Sequence, residues 1–216
     1  MNPYDNVREL EKRIAEYAGS KYAVALDSCS NALLLSLVYA KQKYNIRLVE
    51  LPKYTYVGVA YACLNAGLKI KFRDENWKGC YQILGTNIID SARRFYRGMY
   101  IKDTLYCLSC HWSKHLKIGR GGFICTDDLN ACEILKKMRF DGRTENIKPT
   151  DDNFIYPGFH CYALPEEAAR GLMLMASMPD YNDDIPWDGY ADLSKFPIFT
   201  KDHKSDIKEF DDKLLS

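Results

Sequence analysis

No apolar run in this chain approaches the ~20 residues that a bilayer-spanning helix needs; the longest, around residues 32–40, falls well short. An excess of charge of one sign is missing too. Thirty Lys and Arg against 29 Asp and Glu leave a net charge of +1, so no global field points to nucleic acid or to an anionic membrane surface. The opening, MNPYDNVRELEKR, lacks the apolar core of a secretory signal, and the expectation is a cytoplasmic protein. Histidine is scarce, four in 216 residues, which leaves little material for a metal centre. Internal repeats and low-complexity tracts are absent as well.

What is present is ordinary for a globular chain: 47% hydrophobic and 27% charged residues, enough for one sizeable domain or two small ones. Eight cysteines invite a disulfide framework. However, Cys29, Cys63, Cys107, Cys110, Cys125 and Cys132 lie in or beside apolar segments, not in the loop-rich context of a stapled secreted domain. Free, buried thiols are expected. The sixteen tyrosines read most simply as core and interface packing.

Residues 6–18 carry Val7, Leu10, Ile14 and Tyr17 at helical spacing and end at Gly19. The run YAVAL at 22–26 suits a buried strand, and 31–41 reads as a helix. Strands at 47–51 and 68–73 flank a helix at 57–65. Further strands are expected at 87–90, at 104–109 and within GGFICTDD, with helices at 129–139 and 164–178. Alternating strands and helices predict an α/β fold: a three-layer, mostly parallel sheet with flanking helices over residues 1–178. Residues 179–216 form a tail with little periodicity, expected to pack on the domain or on a partner subunit. In it, Trp187 and Tyr190 are either substrate-facing aromatics or packing anchors, and packing is favoured.

Ligands of such sheets bind at the carboxyl ends of parallel strands, which singles out three polar turns. In the first, Ser28-Cys29-Ser30 opens a helix whose free amides and dipole suit a phosphate, although most such starts are simple caps. The second has Asp90 closing an apolar strand. A carboxylate there needs a donor, either the helix start at Ser91, Arg93 or Arg94, or a protonated ring nitrogen. The third, Ser109-Cys110-His111-Trp112-Ser113-Lys114, precedes a glycine-rich turn. A lysine on such a loop is either solvated or a desolvated amine suited to a Schiff base.

Taken together, these blocks resemble the DegT/DnrJ/EryC1/StrS family of sugar aminotransferases, which depend on pyridoxal 5′-phosphate (PLP) and have the aspartate-aminotransferase type fold. The likeness lies in ELEKRIAEYAGSKYAVALDSCSNALLLSL, LPKYTYVGVAYACLNAGLKIKFRD, IIDSARRF, SCHWSKHLKIGRGGFICTDD and GFHCYALPEEAARGLM, which occur in the family's order across residues 6–178. The resemblance implies a PLP-dependent transferase-like large domain with the small C-terminal domain largely absent. It implies that Lys114 carries the cofactor as a Schiff base and shuttles protons, and that Asp90 keeps the pyridine nitrogen protonated. By the same likeness Tyr56 stacks on the ring, Arg93 lies by the phenolic oxygen, and Cys29, Ser30 and Ser109 hold the phosphate. His160 would reach a partner's phosphate, so a homodimer with shared active sites is expected.

The implied reaction is transfer of an amino group from a glutamate-like donor to a keto sugar, nucleotide-linked in the leading reading. Retention of lysine at 114 favours this over the family's dehydratase branch, in which that lysine is replaced. The alternatives are a PLP-binding protein with a regulatory or structural role and little turnover, and a remnant that binds no cofactor. Three departures stand out. Cys29 replaces a glycine, which requires that the backbone there avoid positive φ. Arg120 replaces an acidic residue, and the stretch between Asp74 and Asn87 lacks about a strand-helix-strand. Two readings outside the family are weaker. Cys107-Leu-Ser-Cys110-His111 matches a haem-attachment pattern, and Cys107, Cys110, His111 and His115 are too closely spaced for structural zinc.

Overall fold

The computed structural model describes residues 2–186 and 189–200; Trp187 and the tail beyond 200 lie outside them. The first helix, α1 (Asp5–Ala18), buries Val7, Leu10, Ile14 and Tyr17 along one stripe. It stops at Gly19, whose φ of 88° only glycine adopts freely. A helix of this length is marginal alone. Burial of its apolar stripe, at roughly 1.5–3 kcal/mol per side chain, is what holds it.

After β1 (Tyr22–Leu26) comes α2 (Cys29–Tyr44), capped by the Ser28 hydroxyl on the Asn31 amide at 3.2 Å. Strand β2 (Leu48–Pro52), helix α3 (Val57–Asn65) and strand β3 (Lys69–Arg73) form a parallel β-α-β unit. Strands β4 (Tyr81–Ile83), β5 (Ile88–Asp90), β6 (Leu105–Ser109) and β7 (Gly122–Thr126) follow, then helices α4 (Leu129–Arg139) and α5 (Pro165–Met175). A short α6 (Pro197–Thr200) closes the described chain.

One sheet has the order β1-β7-β6-β5-β4; β2 and β3 continue it through the antiparallel pair Glu50–Leu84, bonded in both directions at 3.0 and 3.1 Å. Five strands run one way, while β4 and β7 oppose them. The mostly parallel expectation therefore holds for strand direction, but only β5–β6 and β2–β3 are parallel ladders. Strand β4, absent from the sequence reading, explains part of the difference. A parallel neighbour needs a crossover of a dozen or more residues, usually helical. Residues 74–87 are too few for a crossover helix and two strands, so the chain returns as one antiparallel strand.

Side-chain alternation along the strands divides the core in two. Val24, Leu26, Leu105, Cys107 and Ile124 face α2, α3 and α4, whereas Ala23, Ala25, Tyr106, Leu108 and Phe123 face α1 and α5. Three layers result, as expected. Beneath α1, Glu11 and Arg139 are buried as an ion pair. Glu11 also accepts from the Ala25 amide (2.9 Å) and Lys136 (3.0 Å), and Arg139 reaches Glu145 at 2.9 Å. Burial pushes the Glu11 carboxyl up, but Arg139 and Lys136 hold it below the usual range. All eight cysteines are free thiols, as predicted. No described helix is long and apolar enough to cross a membrane.

Candidate active site

Strands β1, β5 and β6 run in the same direction, so their carboxyl ends bring Ser28, Asp90 and Ser109 to one edge of the sheet. A cavity of about 400 Å³ opens there, and Cys29, Ser30, Tyr56, Asp90, Arg93, Ser109 and Lys114 all line it. Seven of the eight residues singled out in the sequence thus meet around one space.

Each is placed by a local cause. Helix α2 begins at Cys29, whose φ is not positive, so the requirement set by the missing glycine is met. Asn31 N–H is taken by the Ser28 cap, which leaves the Cys29 and Ser30 amides at the exposed end of the dipole. Among the described residues the Ser30 hydroxyl has no hydrogen-bond partner. Gly122 opens β7 against this turn. A Cβ there would stand 2.4 Å from the Cys29 nitrogen, so the approach requires glycine. Gly58 has a similar role, since its Cβ would meet the Tyr56 ring at 2.6 Å and the Ser30 hydroxyl at 3.0 Å. Its absence brings the ring and hydroxyl together.

The Lys114 loop is closed by backbone bonds from Cys110 to Gly121 (2.9 Å), Gly119 to Cys110 (3.1 Å) and Trp112 to Gly119 (3.2 Å). Leu116 and Ile118 anchor it in the α1 face of the core. Lys114 itself is half-buried, and among the described residues its ammonium has no hydrogen-bond or ion-pair partner. Burial, and then the Arg93 charge, pull it below the ordinary lysine range, against the opposite pull of Asp90. A fraction of neutral amine suits a nucleophile. Asp90 is fully enclosed. Burial pushes its carboxyl up, opposed by hydrogen bonds from the Tyr81 hydroxyl (2.8 Å) and the Ala92 amide (3.0 Å).

His160 is elsewhere. Its backbone bridges Phe140, its ring Nδ1 lies 2.9 Å from the Asp141 carboxylate, which accepts, and its side chain is 71% exposed on the surface. Within one chain it does not join the cavity. Trp77, Thr55 and Tyr190 also line the cavity, and Tyr81 bonds to Asp90 and Thr55 of that lining. Tyr190, expected to pack, both packs on Trp77 and lines the cavity. Arg120 reaches Asp27 at 2.6 Å, neutralising a carboxylate beside the α2 amides. The haem pattern fails on geometry, because Cys107 and Cys110 point into opposite faces of the sheet. Among the described residues no cluster of metal ligands occurs.

The tail supplies one wall. Arg94 grips Asp184 through two bonds (2.9 and 2.7 Å), Ile185 donates to the Arg93 carbonyl at 2.9 Å, and Leu193 donates to Lys53 at 2.9 Å. Arg93 is held by Pro186 and by the Tyr190 hydroxyl at 3.1 and 2.9 Å.

Residues 1–82 match the sequence profile of the DegT/DnrJ/EryC1/StrS aminotransferase family. The match covers α1 through the start of β4. Over a longer span the chain is 22% identical to a GDP-4-keto-6-deoxy-D-mannose 3-dehydratase of Yersinia pseudotuberculosis, covering 82% of this chain and 61% of that one. The fold is that of the GDP-4-keto-6-deoxy-D-mannose-3-dehydratase of E. coli, solved with hydrated PLP: TM-score 0.66, 20% identity, 81% of this chain and 60% of the other. It is equally similar to a sugar aminotransferase from Micromonospora echinospora, with TM-score 0.68, 17% identity and coverage of 80% and 60%. The chain thus spans about 60% of the length of these relatives.

Proposed function

We propose that this chain binds PLP on Lys114 and acts as an aminotransferase on a keto sugar, nucleotide-linked, with a glutamate-like amino donor. The observation that carries the reading is the convergence on one cavity of a half-buried lysine without a partner among the described residues, a buried carboxylate and a helix N-terminus that carries the unpaired Ser30 hydroxyl. That donor set fits the group: a carbonyl needs an amine, a pyridinium needs a carboxylate, and a phosphate needs amides and hydroxyls. The family match and PLP-containing relatives point the same way. When bound, PLP supplies the electron sink that lets an amino group pass between two carbons.

In this reading the chain's own groups divide the work. The Lys114 amine, whose neutral form burial favours, would hold the cofactor's carbonyl carbon and serve as the group that moves a proton there. Asp90 holds a proton on the ring nitrogen, and the Cys29 and Ser30 amides, with the Ser30 and Ser109 hydroxyls, bind the phosphate. Tyr56 covers the ring, and Arg93 donates beside the phenolic oxygen while tethered to Tyr190. His160, exposed and outside the lining of its own cavity, reaches the phosphate of a second copy in this reading, in a homodimer with shared sites.

The test is an absorbance spectrum with PLP, before and after borohydride, in the wild type and Lys114→Ala. A band near the visible edge, fixed covalently by borohydride in the wild type alone, is expected. No band in either protein overturns the reading. Glutamate should then discharge the band. A second reading, a PLP-binding protein with little turnover, is favoured by the tether on Arg93. It predicts the band but no response to glutamate.

A further inference from the structure

Tyr81 lies on β4, the strand that replaces a crossover in the shortened stretch, and is the register partner of Asp90 across β4–β5. Directly opposed residues of an antiparallel pair project on the same face, which brings the phenol to the carboxylate. The Tyr81 hydroxyl lies 2.8 Å from Asp90 Oδ2 and 2.6 Å from Thr55 Oγ1, and all three side chains are buried. A phenol has one proton. Given to Asp90, it leaves the Tyr81 oxygen as acceptor, so the Thr55 hydroxyl donates and the chain runs Thr55 to Tyr81 to Asp90. The Ala92 amide takes Oδ1 at 3.0 Å. Lys114 and Arg93 face Asp90 as charges without a direct bond, and the Cys29 and Cys107 thiols beside it are kept neutral by burial. Tilted packing against Trp77, with ring centroids 4.7 Å apart and an interplanar angle of 58°, holds the phenol ring.

We propose that Tyr81 is a positioning residue of this site: backed by Thr55, it fixes the orientation of the Asp90 carboxylate and holds it as an anion, its remaining lone pairs free for a cationic ring nitrogen. The last clause rests on the PLP reading, whereas the hold on Asp90 does not. Strand β4 would then do more than fill a gap in the sheet. It supplies the donor that compensates the carboxylate for its burial.

The experiment is a carbon-13 NMR titration of Asp90 in the full chain, with aspartate labelled and PLP removed, the signal being assigned by its loss in Asp90→Asn. Tyr81→Phe preserves the ring packing and removes the proton. Its Asp90 midpoint should rise by about one pH unit, a tenfold change in proton affinity. Thr55→Val, which keeps the phenol, should shift it the same way by less. A purely packing role for Tyr81 predicts an unchanged midpoint in a folded Tyr81→Phe protein, and that result overturns the proposal. Should Tyr81→Phe not fold, an unchanged midpoint in Thr55→Val overturns it instead. The PLP absorbance band is read in parallel. Shifted midpoints with no band in the wild type support the hold on Asp90 and sink only the cofactor reading. A band with unshifted midpoints does the reverse.

Discussion

Asp90 is the residue at which function and stability pull apart. Its carboxyl is raised by burial beyond what the Tyr81 and Ala92 bonds recover. A carboxyl whose value is higher folded than unfolded favours the fold only while it is protonated in both states. That advantage is lost as pH rises through the folded value, so the full burial penalty acts at neutral pH. Asp90→Asn should therefore raise the Tm at pH 7, with the gain fading in acid. A lower Tm at pH 7 would contradict this account. The Glu11–Arg139 pair behaves oppositely. Arg139→Ala leaves Glu11 buried without its main partner, and a loss of ~3–5 kcal/mol in urea unfolding is expected. At this scale the sequence was legible where a strand end forces a residue to the rim, as at Ser28, Asp90 and Ser109. It was silent on Tyr81, Thr55 and Arg139. Their partners lie on other strands and helices, and no local pattern states which strand faces which.

Among the elements, the long periodic helices and buried apolar strands were visible because a single stripe or run defines them. Strand β4 was not, since three residues with one alternation resemble any loop. Its direction follows from the length of chain available, which the sequence does show. The tail was harder still. Its bonds to Arg93, Arg94 and Lys53 come from side chains and backbone groups scattered over residues 184–193. A chain ended after Met178 loses the bidentate Arg94–Asp184 grip and exposes the surface under Leu193 and Phe199. We expect lower thermal stability and at least tenfold weaker PLP binding. Tyr190→Phe, which keeps the ring and removes the hydroxyl that accepts from Arg93, should leave Tm within about 1 °C and alter the spectrum of the bound cofactor. An unchanged spectrum would mean that the tether does not reach the cofactor.

For the whole molecule, the position of His160 has the largest consequence. A side chain so exposed, outside the lining of its own cavity, serves the proposed phosphate only across a dimer interface. Sedimentation at micromolar concentration should give twice the 24.9 kDa of one chain. His160→Ala should weaken PLP binding without changing that mass. A monomer at high concentration would remove His160 from the site and leave the other seven residues where they are.

The sheet also sorts the thiols. Cys63, Cys107, Cys132 and Cys161 lie on its α2 side, and Cys110 and Cys125 on its α1 side, all buried and all with thiols raised. None can be alkylated until its own layer lifts. The cysteines therefore form a two-sided gauge: the order in which a small electrophile labels them under mild denaturant reads out which helical layer peels from the sheet first, without any probe having to be engineered in.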